Sequence, residues 1–470
     1  MVTATPVLAL DLGTSSVRAL GCDEHAEPVP GVLARREVEP HQDAAGAGEL
    51  DPESYTAALV DCLDELHAAG ALRDVTVVAT SAQWHSVLAV DDDGSARSPA
   101  LTWLDTRAPT DRQPRDPDAF HRRTGSWVHP LYWTTKIRWL SEHTGGRRFT
   151  GITEYVRARL LGDPDISISM ASASGMLDVG SGVWDGEAME LAGIGPDALP
   201  RLSAGGARLI SVYARRWPEL ADATWAPVAG DGATSTVGAG AQAGRSAGVN
   251  VGTSAAIRVV HPTAGAPALA PGLWRYRVDE HQAITGAAVS AGGLLHGWLR
   301  GLLGDLPDPG DEPGVASAGV VVLPWHAGSR PPTVVPGGSG SVVGLGTSTR
   351  PEQLVAATYE GVVHELRRSL DALDDAFGTD LGVVLGGGAV TASPWWRQAF
   401  AAGFERPVVF QAFPEVGARG AAALALGVGL PAPAAEVEAS TEARDRMRAA
   451  RRPFEQARTA LLGIHRDQRG

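Results

Sequence analysis

The sequence Asp11-Leu-Gly-Thr-Ser15 has a near-copy in the second half of the chain, Asn250-Val-Gly-Thr-Ser254. The two segments match at the glycine, the threonine and the serine. Apolar residues that predict a β-strand precede each segment, and an arginine follows each one, Arg18 and Arg258. This repeated strand and turn predicts a duplicated fold, in which two related domains each present one turn to a common cleft.

The repeated turn has the composition of a phosphate-binding loop that works without lysine. Small residues leave successive backbone N–H groups accessible, and the threonine and serine hydroxyls add further donors. Either segment alone is better explained as a common hairpin turn, but the spaced pair favours phosphate binding. The predicted phosphate-binding residues are Gly13, Thr14, Ser15, Ser16, Gly252, Thr253 and Ser254.

The charge of the chain excludes several other ways of binding phosphate. Among 470 residues, 40 are Lys or Arg and 54 are Asp or Glu, which gives a net charge of −14. Lys136 is the only lysine, and its context, Trp-Thr-Thr-Lys-Ile, fits neither a Walker A loop nor the strand lysine of a protein kinase. The acidic balance argues against sequence-independent nucleic-acid binding. We therefore expect any anionic ligand to be held by local groups.

The cysteine content and the N-terminus predict a soluble, cytoplasmic protein. Cys22 and Cys62 are the only cysteines, which are too few for a disulfide framework. Residues 1–6 contain no basic segment followed by an apolar stretch, and no run of about 18 apolar residues occurs in the chain. We therefore expect no membrane partner.

Alternating strand and helix signals predict an α/β fold. Strands are expected at 7–11, 17–22, 75–80, 87–90 and 227–231, and helices at 51–69, 134–142, 153–161, 234–243, 351–377 and 394–404. We divide the chain into an N-terminal domain of residues 1–240, a C-terminal domain of residues 241–430 and a charged helical tail of residues 431–470.

Four segments together resemble the FGGY family of carbohydrate kinases, within the actin, sugar kinase and Hsp70 superfamily. Asp11-Leu-Gly-Thr-Ser-Ser16 is similar to the first phosphate motif of the family, Val251-Gly-Thr-Ser-Ala255 to the second, and Leu385-Gly-Gly-Gly-Ala389 to the adenosine motif. Residues 340–361 satisfy every position that the family's C-terminal pattern requires. The resemblance covers residues 7–427 and implies two ribonuclease H-like domains of the actin-like ATPase fold, with a cleft between them.

The resemblance also implies phosphoryl transfer from ATP with Mg²⁺, which needs a base, a metal-binding acid and donors around the phosphates. It places the catalytic base at Asp231, for which a helix N-cap is the structural alternative. Asp11 is the candidate metal ligand, acting through water, and a turn-capping role is its alternative. The implied adenosine-binding residues are Gly386, Gly387, Gly388 and Ala389.

A group of aromatic and polar residues forms the candidate sugar site. Its members are Trp84, His85, Trp103, Asp105, Arg107 and Lys136. Together they offer a stacking face, several hydrogen-bond donors and one acceptor, as a polyol requires. His85 and Trp103 could equally be structural, and Lys136 could pair with a nearby acid. For a sugar acid, Arg107 and Lys136 are the cations available to bind the carboxylate.

Within the family, residues 81–91, 123–125, 129–130 and 136–140 are most similar to gluconate kinases and next to xylulose kinases. The expected reaction is transfer of the γ-phosphate of ATP to the terminal hydroxyl of gluconate, giving 6-phosphogluconate. A pentulose kinase is the alternative within the same class.

Four positions depart from the family pattern, and one of them is Ala401-Ala-Gly403, which lacks an acid commonly found there. Trp133 and Ser329 leave open a sugar- and ATP-binding sensor without turnover, and Thr153 replaces a lysine that is often found at its position. The sequence also leaves open whether the chain forms a homodimer.

Overall fold

Two mixed β-sheets form the two halves of the chain, and each contains one of the Gly-Thr-Ser turns. The structure is a computed structural model that describes residues 5–203, 205–310, 312–326, 328 and 339–467. The strands of the first sheet are β1 (Val7–Leu12), β2 (Ser16–Cys22), β3 (Pro28–Glu37), β4 (Val77–Ala82), β5 (Thr224–Trp225) and β6 (Ala229–Gly230). The strands of the second sheet are β7 (Ser246–Val251), β8 (Ala255–Pro262), β9 (Trp274–Arg277), β10 (Gln282–Val289), β11 (Gly382–Gly386), β12 (Val408–Gln411) and β13 (Glu436–Val437).

The two sheets repeat the same arrangement of neighbouring strands. In the first sheet, β1 pairs antiparallel with β2 and parallel with β4, while β2 pairs antiparallel with β3. In the second sheet, β7 pairs antiparallel with β8 and parallel with β11, while β8 pairs antiparallel with β10. The repeat seen in the two turns therefore extends to the sheets that carry them, and the predicted α/β class is confirmed.

Helices and shorter strands complete the two halves. The helices are α1 (Pro52–Ala68), α2 (Pro117–Thr124), α3 (Trp133–Thr144), α4 (Ile152–Leu161), α5 (Ile168–Ala173), α6 (Gly186–Ala192), α7 (Ser211–Arg216), α8 (Asp231–Gly238), α9 (Leu294–Leu303), α10 (Pro351–Phe377), α11 (Gly388–Ala392), α12 (Pro394–Gly403), α13 (Val416–Leu426) and α14 (Thr441–Asp467). The short strands are His41–Gln42, Gly48–Leu50, Leu88–Val90, Ala100–Leu101, Arg148–Thr150, Ile166–Ser167, Leu177–Asp178, Val183–Trp184, Leu202–Ser203, Val321–Leu323 and Ser341–Val343. Within the described ranges, no helix combines the length and the apolar character needed to cross a membrane.

Helix α1 forms where its capping and spacing signals place it. Pro52 opens the helix, and the carboxylate of Asp51 accepts a hydrogen bond from the amide of Ser54. Leu59 and Leu63 lie on the buried side of this helix, which packs against β2 and β3. The long helix α10 spans the predicted residues 351–377.

Helix α8 begins earlier than the sequence predicts. It spans Asp231–Gly238 rather than residues 234–243, because β6 ends at Gly230 and the chain enters the helix at once. Asp231 is therefore the first residue of the helix. Helix α9 and strands β9 and β10 were not predicted, and they fill the segment between the second turn and the loop that follows residue 303.

The segment after residue 430, predicted as a charged helical tail, packs on the second half. Strand β13 pairs with β12 at the edge of the second sheet. Met447 and Ala443 of α14 are buried in the core of that half, and Phe454 is buried against Leu323. The arginine-rich helix therefore contributes apolar side chains to the fold, and its Arg451 and Arg458 form ion pairs with Asp371 and Glu365 of α10.

Helices α8 and α13 cross through direct backbone contact. A Cβ atom at Gly420 would overlap the carbonyl oxygen of Thr234, and a Cβ atom at Gly238 would overlap the carbonyl oxygen of Val416. Because α8 follows the first sheet and α13 follows the second, this crossing joins the two halves. Glycine is required at both positions because backbone atoms cannot move aside as a flexible side chain would.

Small residues also bring α13 close to the first sheet. Ala418, Ala421 and Ala422 of this helix share a buried cluster with Val7 and Ala79 of strands β1 and β4. Short side chains on the helix allow its axis to approach the sheet closely. A helix from the second half of the chain thus completes the core of the first half.

We expect Gly420→Ala to destabilise the protein by about 1–3 kcal/mol, which is the usual effect of overpacking a tight contact. Gly301→Ala is the matched control, because Gly301 also lies in a helix but nothing stands within 4 Å of its Cβ position. The control should be neutral or stabilising by up to about 1 kcal/mol, since alanine favours helix. Urea unfolding of both variants measures the difference, and equal stabilities would contradict the crossing described above.

Candidate active site

The carboxyl ends of three parallel strands meet at one edge of the first sheet. Asp11 of β1 lies opposite Ser81 of β4, and Gly230 of β6 lies opposite Ala82 of β4. Residues that follow such strand ends commonly form ligand sites in α/β sheets. Asp11 and Asp231, the two acids singled out in the sequence, are both brought to this edge.

The Asp11 carboxylate sits in a small charged cluster. Arg18 Nη1 lies 3.6 Å from Asp11 Oδ2 and 2.6 Å from Glu415 Oε2. Burial raises the pKa of the Asp11 carboxyl, while Arg18 and a hydrogen bond with Ser81 act in the opposite direction and Glu415 raises it further. Sequence reasoning did not find Glu415, because it lies at the start of α13 and approaches Asp11 only through the helix crossing.

Asp231 is exposed at the start of α8 and does not cap that helix. The N-cap is Gly230, and no side chain makes a capping hydrogen bond there. Burial raises the pKa of the Tyr55 hydroxyl, and the charges of Asp11 and Asp231 raise it further. Both carboxylates therefore lie near Tyr55. The alternative explanation of Asp231 as an N-cap does not describe its position.

Tyr55 belongs to a hydrogen-bond network that fixes the first turn. Its hydroxyl donates to the carbonyl of Gly13 at 2.8 Å, and Gln83 Nε2 donates to the same carbonyl at 3.3 Å. The Thr14 hydroxyl donates to Gln83 Oε1 at 2.9 Å and accepts from Trp103 Nε1 at 3.0 Å. The Thr14 hydroxyl and Trp103, predicted to contact phosphate and sugar, are thus engaged in holding the turn.

The two turns expose backbone amides in the same way. A bond from the Gly13 amide to the Ser16 carbonyl, 3.0 Å, closes the first turn, and a bond from the Gly252 amide to the Ser254 carbonyl, 2.9 Å, closes the second. In the ranges that the structure covers, two consecutive amides in each turn donate to no protein acceptor, Thr14 and Ser15 in the first and Thr253 and Ser254 in the second. Consecutive unbonded amides are suited to binding an anion.

The predicted adenosine segment lies next to the second turn. Gly386 ends β11 opposite Asn250, and α11 starts at Gly388. Gly387 has a φ of 106°, and a Cβ atom there would come within 2.5 Å of Asn250 Oδ1 and of the Val251 carbonyl. Only glycine fits this close approach, which brings residues 386–389 against the strand that enters the second turn.

The indole of Trp84 forms an apolar surface next to Asp231. Its indole lies so close to Gly230 and Gly232 that a side chain at either position would overlap it. The Trp84 ring is buried, and two aromatic rings of β9 pack edge-on against it, Trp274 at 5.8 Å and Tyr276 at 5.1 Å. These two residues come from the second half, and sequence reasoning missed them because β9 itself was not predicted.

His85 follows Trp84 in a backbone conformation that few non-glycine residues adopt, with a φ of 72°. Its Nδ1 lies 2.7 Å from the carbonyl of Ala173, and its ring packs edge-on against Tyr132 and Tyr276. An Nδ1–H that donates to a carbonyl makes Nε2 the acceptor in the neutral ring. His85 is thereby oriented to accept a hydrogen bond at Nε2.

Asp105 and Arg107 bind each other rather than projecting together as a ligand pair. Arg107 donates to Asp105 Oδ2 at 2.6 Å and to Glu49 at 2.5 Å, and its guanidinium stacks 4.4 Å from the ring of Trp139. Asp105 is buried and also accepts from the amide of Gly48 at 3.1 Å. This geometry does not fit the predicted substrate contacts, because both charges are used to fix the loop that contains them.

Lys136 also has a different role from the one predicted. Its ammonium is buried and donates to the carbonyls of His85, Thr102 and Leu131 at 3.1, 2.7 and 3.0 Å. Burial lowers its pKa to about 7, against the attraction of Asp105. Three carbonyls use all three donors of the ammonium, so Lys136 holds the segment that carries His85 instead of binding a carboxylate.

Of the positions that depart from the family pattern, Trp133 and Thr153 are buried in the described structure. Trp133 is buried at the start of α3, and its Nε1 donates to the carbonyl of Ser86 at 2.9 Å. Because Ser86 follows His85, this bond helps to hold the segment that carries His85. Ser329 lies outside the described residues.

Next to Thr153, Glu154 is buried, and neither carboxyl oxygen has a hydrogen-bond partner in the described chain. Burial raises the pKa of Glu154 to about 7.

Asp11, the candidate metal ligand, is not part of a group of three or more metal-ligand side chains in the described residues. Over the described ranges, no three His, Cys, Asp or Glu side chains converge as metal ligands. Mg²⁺ retains several waters and takes one or two carboxylates together with substrate phosphates. One carboxylate at the end of β1, beside an anion-binding turn, fits that requirement.

Comparison with known proteins identifies relatives along most of the chain. The N-terminal domain of the FGGY family of carbohydrate kinases matches residues 6–224, and the C-terminal domain of the same family matches residues 247–427. A gluconokinase of Bacillus subtilis is 26% identical, over 89% of this chain and 86% of its own length. A xylulose kinase of Streptomyces coelicolor is 30% identical, over 89% of this chain and 87% of its own length. The crystal structure of a gluconate kinase from Lactobacillus acidophilus has the same fold, with a TM-score of 0.85 at 21% identity, covering 98% of this chain and 99% of that one.

We expect Lys136→Met to lower the free energy of unfolding by about 1–3 kcal/mol, because three buried carbonyls lose their donor. The ratio of kcat/KM for gluconate to kcat/KM for xylulose should not change, since the ammonium does not bind the acceptor. Urea unfolding and steady-state kinetics measure the two quantities. A stable variant that loses only gluconate turnover would restore the carboxylate-binding role.

The buried Glu154 gives a pH-dependent prediction. Its pKa is about 7 in the folded state and about 4.5 in the unfolded state, so the unfolded state releases the proton first as pH rises, and stability falls between these values. Glu154→Gln removes this effect and should stabilise the protein by up to about 3 kcal/mol at pH 8, with a gain that shrinks towards pH 4.5. Thermal unfolding from pH 5 to 8 tests it. The exposed Glu438→Gln is the control, and a gain that did not depend on pH would rule out the titration of Glu154.

Proposed function

This chain belongs to the FGGY family of carbohydrate kinases, phosphotransferases with an alcohol group as acceptor, and from that premise we propose that it phosphorylates the terminal hydroxyl of gluconate with ATP. The observation that carries the proposal is the convergence of Asp11 and Asp231 beside the Gly13 turn. One acid near phosphate donors suits metal binding, and an exposed second acid suits proton transfer. Gluconokinases among the relatives support gluconate as the acceptor.

Asp231 accepts the proton of the acceptor hydroxyl in this proposal. Its exposure at the first position of α8 leaves it open to the solvent side of the strand ends, and it is not used as a helix cap. A carboxylate in that place orients the hydroxyl and takes its proton as the oxygen attacks phosphorus. Gly230 and Gly232 on either side allow Trp84 to pack flat beneath it.

The two turns and Asp11 hold the phosphates. The amides of Thr14 and Ser15 in one turn, and of Thr253 and Ser254 in the other, point away from protein acceptors and donate to phosphate oxygens. Asp11 would hold Mg²⁺, which would supply positive charge to the phosphate oxygens. Residues 386–389 accept the adenosine, with Gly387 providing the close approach.

The acceptor occupies the surface formed by Trp84 and His85. Trp84 supplies an apolar face for the carbon chain, since its buried Nε1 lies against Gly230 and does not reach the cleft. His85 Nε2 accepts a hydrogen bond from an acceptor hydroxyl. Rings from both halves of the chain, including Tyr276, surround this surface, so closure of the two halves shields the reacting groups from water.

A xylulose or related pentulose kinase is the second candidate. The relative with 30% identity is a xylulose kinase, and the two cations predicted to bind a carboxylate, Arg107 and Lys136, are both engaged in protein contacts. The sensor hypothesis loses one of its two supports, because Trp133 has a structural role in the described fold.

Asp231→Asn should reduce kcat by at least about 100-fold with every acceptor, because the amide cannot take the proton. ATP binding should persist, since the phosphate turns are unchanged. ADP release with gluconate, xylulose and glycerol, together with calorimetry of ATP binding, measures both effects. Asp222→Asn, at a fully exposed carboxylate, is the control. Acceptor-dependent ADP release at the wild-type rate in Asp231→Asn would remove Asp231 from the mechanism.

A further inference from the structure

Glu415 directly precedes α13, at the place where this helix of the second half approaches Asp11 of the first. A Cβ atom at Gly417 would lie 3.2 Å from Asp11 Oδ1 and 3.3 Å from Ser81 Oγ. Because glycine has no side chain there, the first turn of α13 lies against the candidate metal ligand. Glu415 is thus held close to Asp11, although the two residues are far apart in the sequence.

The guanidinium of Arg18 lies between the two carboxylates. Its Nη1 is 2.6 Å from Glu415 Oε2, which is a short charge-assisted hydrogen bond, and 3.6 Å from Asp11 Oδ2, which is too long for a direct one. In the described chain, the buried Nε of Arg18 has no hydrogen-bond partner. The bond to Glu415 therefore sets the position of the guanidinium and leaves it short of a direct bond to Asp11.

All three charged side chains are mostly withdrawn from solvent. Their exposed fractions are 20% for Asp11, 21% for Arg18 and 14% for Glu415. Charges that are sheltered in this way are screened less by water and salt than charges on the open surface. The choice of partner by Arg18 therefore changes the charge that the Asp11 carboxylate presents to a ligand.

The two repeated turns differ in the residue that faces the end of their first strand. Asp11 lies opposite Arg18 in the β1–β2 pair, whereas Asn250 lies opposite Ala256 in the β7–β8 pair. Opposite charges that face each other across two strands attract and tend to pair. A second acid beside Arg18 opposes that pairing in the first turn, and Glu415 is in the position to do so.

We propose that Glu415 is a positioning residue that keeps Arg18 from pairing directly with Asp11 and so preserves the Asp11 carboxylate for Mg²⁺. The inference rests on the proposed function, in which Asp11 is the metal ligand. With Glu415 in place, Arg18 donates to the acid that precedes α13. Without Glu415, the guanidinium is free to move the remaining distance to Asp11, where its positive charge competes with the metal for the same carboxylate.

The test measures how much Mg²⁺ improves nucleotide binding, and it needs no turnover. Calorimetry gives the Kd of AMP-PNP, a non-hydrolysable ATP analogue, in EDTA and in Mg²⁺. The first value divided by the second is the magnesium gain. Glu415→Gln should lower the magnesium gain by about 10-fold, which is the effect of forming or losing one charge-assisted hydrogen bond. Glu415→Asp, which keeps the acid on a shorter side chain, should retain part of the gain.

A double-mutant cycle shows whether Glu415 acts through Arg18. In an Arg18→Gln background, adding Glu415→Gln should alter the magnesium gain by less than about threefold, because no guanidinium remains to move onto Asp11. Glu190→Gln is the matched control, since Glu190 binds Arg115 at the same 2.6 Å on the exposed surface. Thermal unfolding verifies that each variant is folded.

A loss of magnesium gain in Glu415→Gln that disappears when Arg18 is also replaced supports the proposal. An unchanged gain in Glu415→Gln, or an equal loss with and without Arg18, overturns it and leaves the proposed kinase function standing. Asp11→Asn is measured in the same way. If it keeps the magnesium gain of the wild-type protein, the proposed metal-binding role of Asp11 is wrong, and the role of Glu415 is wrong with it.

Discussion

Helices α8 and α13 touch through backbone atoms at Gly238 and Gly420, at a distance that any side chain would prevent. This contact fixes how closely the two helices lie against each other. Asp231 opens α8 at the ends of the parallel strands, and Glu415 at the start of α13 reaches Arg18 beside Asp11. Asp11, the first Gly-Thr-Ser turn and Asp231 meet at the strand ends of the first sheet, whereas the position of Glu415 beside them depends on this crossing.

The local features of the site could be predicted from the sequence. The geometry of a Gly-Thr-Ser turn between two apolar strands depends only on its small residues and on the pairing of the flanking strands. These local features expose the amides of Thr14 and Thr253. Helix limits marked by proline and by helical spacing, as in α10, were also predicted well. These elements depend on interactions between residues that are close in sequence, which is the range over which patterns are informative.

Side-chain partners across the fold could not be predicted in this way. Lys136 looked like a ligand because a lone lysine near aromatic residues suits an acidic substrate, yet three backbone carbonyls from separate segments surround it. Asp105 and Arg107 carry complementary charges two residues apart, and they pair with each other and with Glu49. Trp274 contributes to the site only because β9 joins the second sheet at its edge. Each of these facts depends on which distant segment packs there, and that information is absent from local spacing.

The excess of acidic residues opposes the approach of an anionic ligand to the chain. Its net charge is −14, and many acids are held in ion pairs with arginine, such as Asp374 with Arg406 at 2.7 Å. Because each pair is neutral, the 14 surplus acids set the long-range repulsion of an incoming anion, and salt screens that repulsion beyond a Debye length. In the proposed function, affinity for phosphate is decided locally, by backbone amides that carry no formal charge. The duplicated turn suits an acidic protein for this reason, and only one of its two copies retains an acid: Asp11, the proposed metal ligand, in the first, and Asn250 in the second. If both turns bind phosphate as proposed, a second acid would add a repulsive charge near the phosphates, whereas one acid and one amide leave a single side chain for the proposed metal contact.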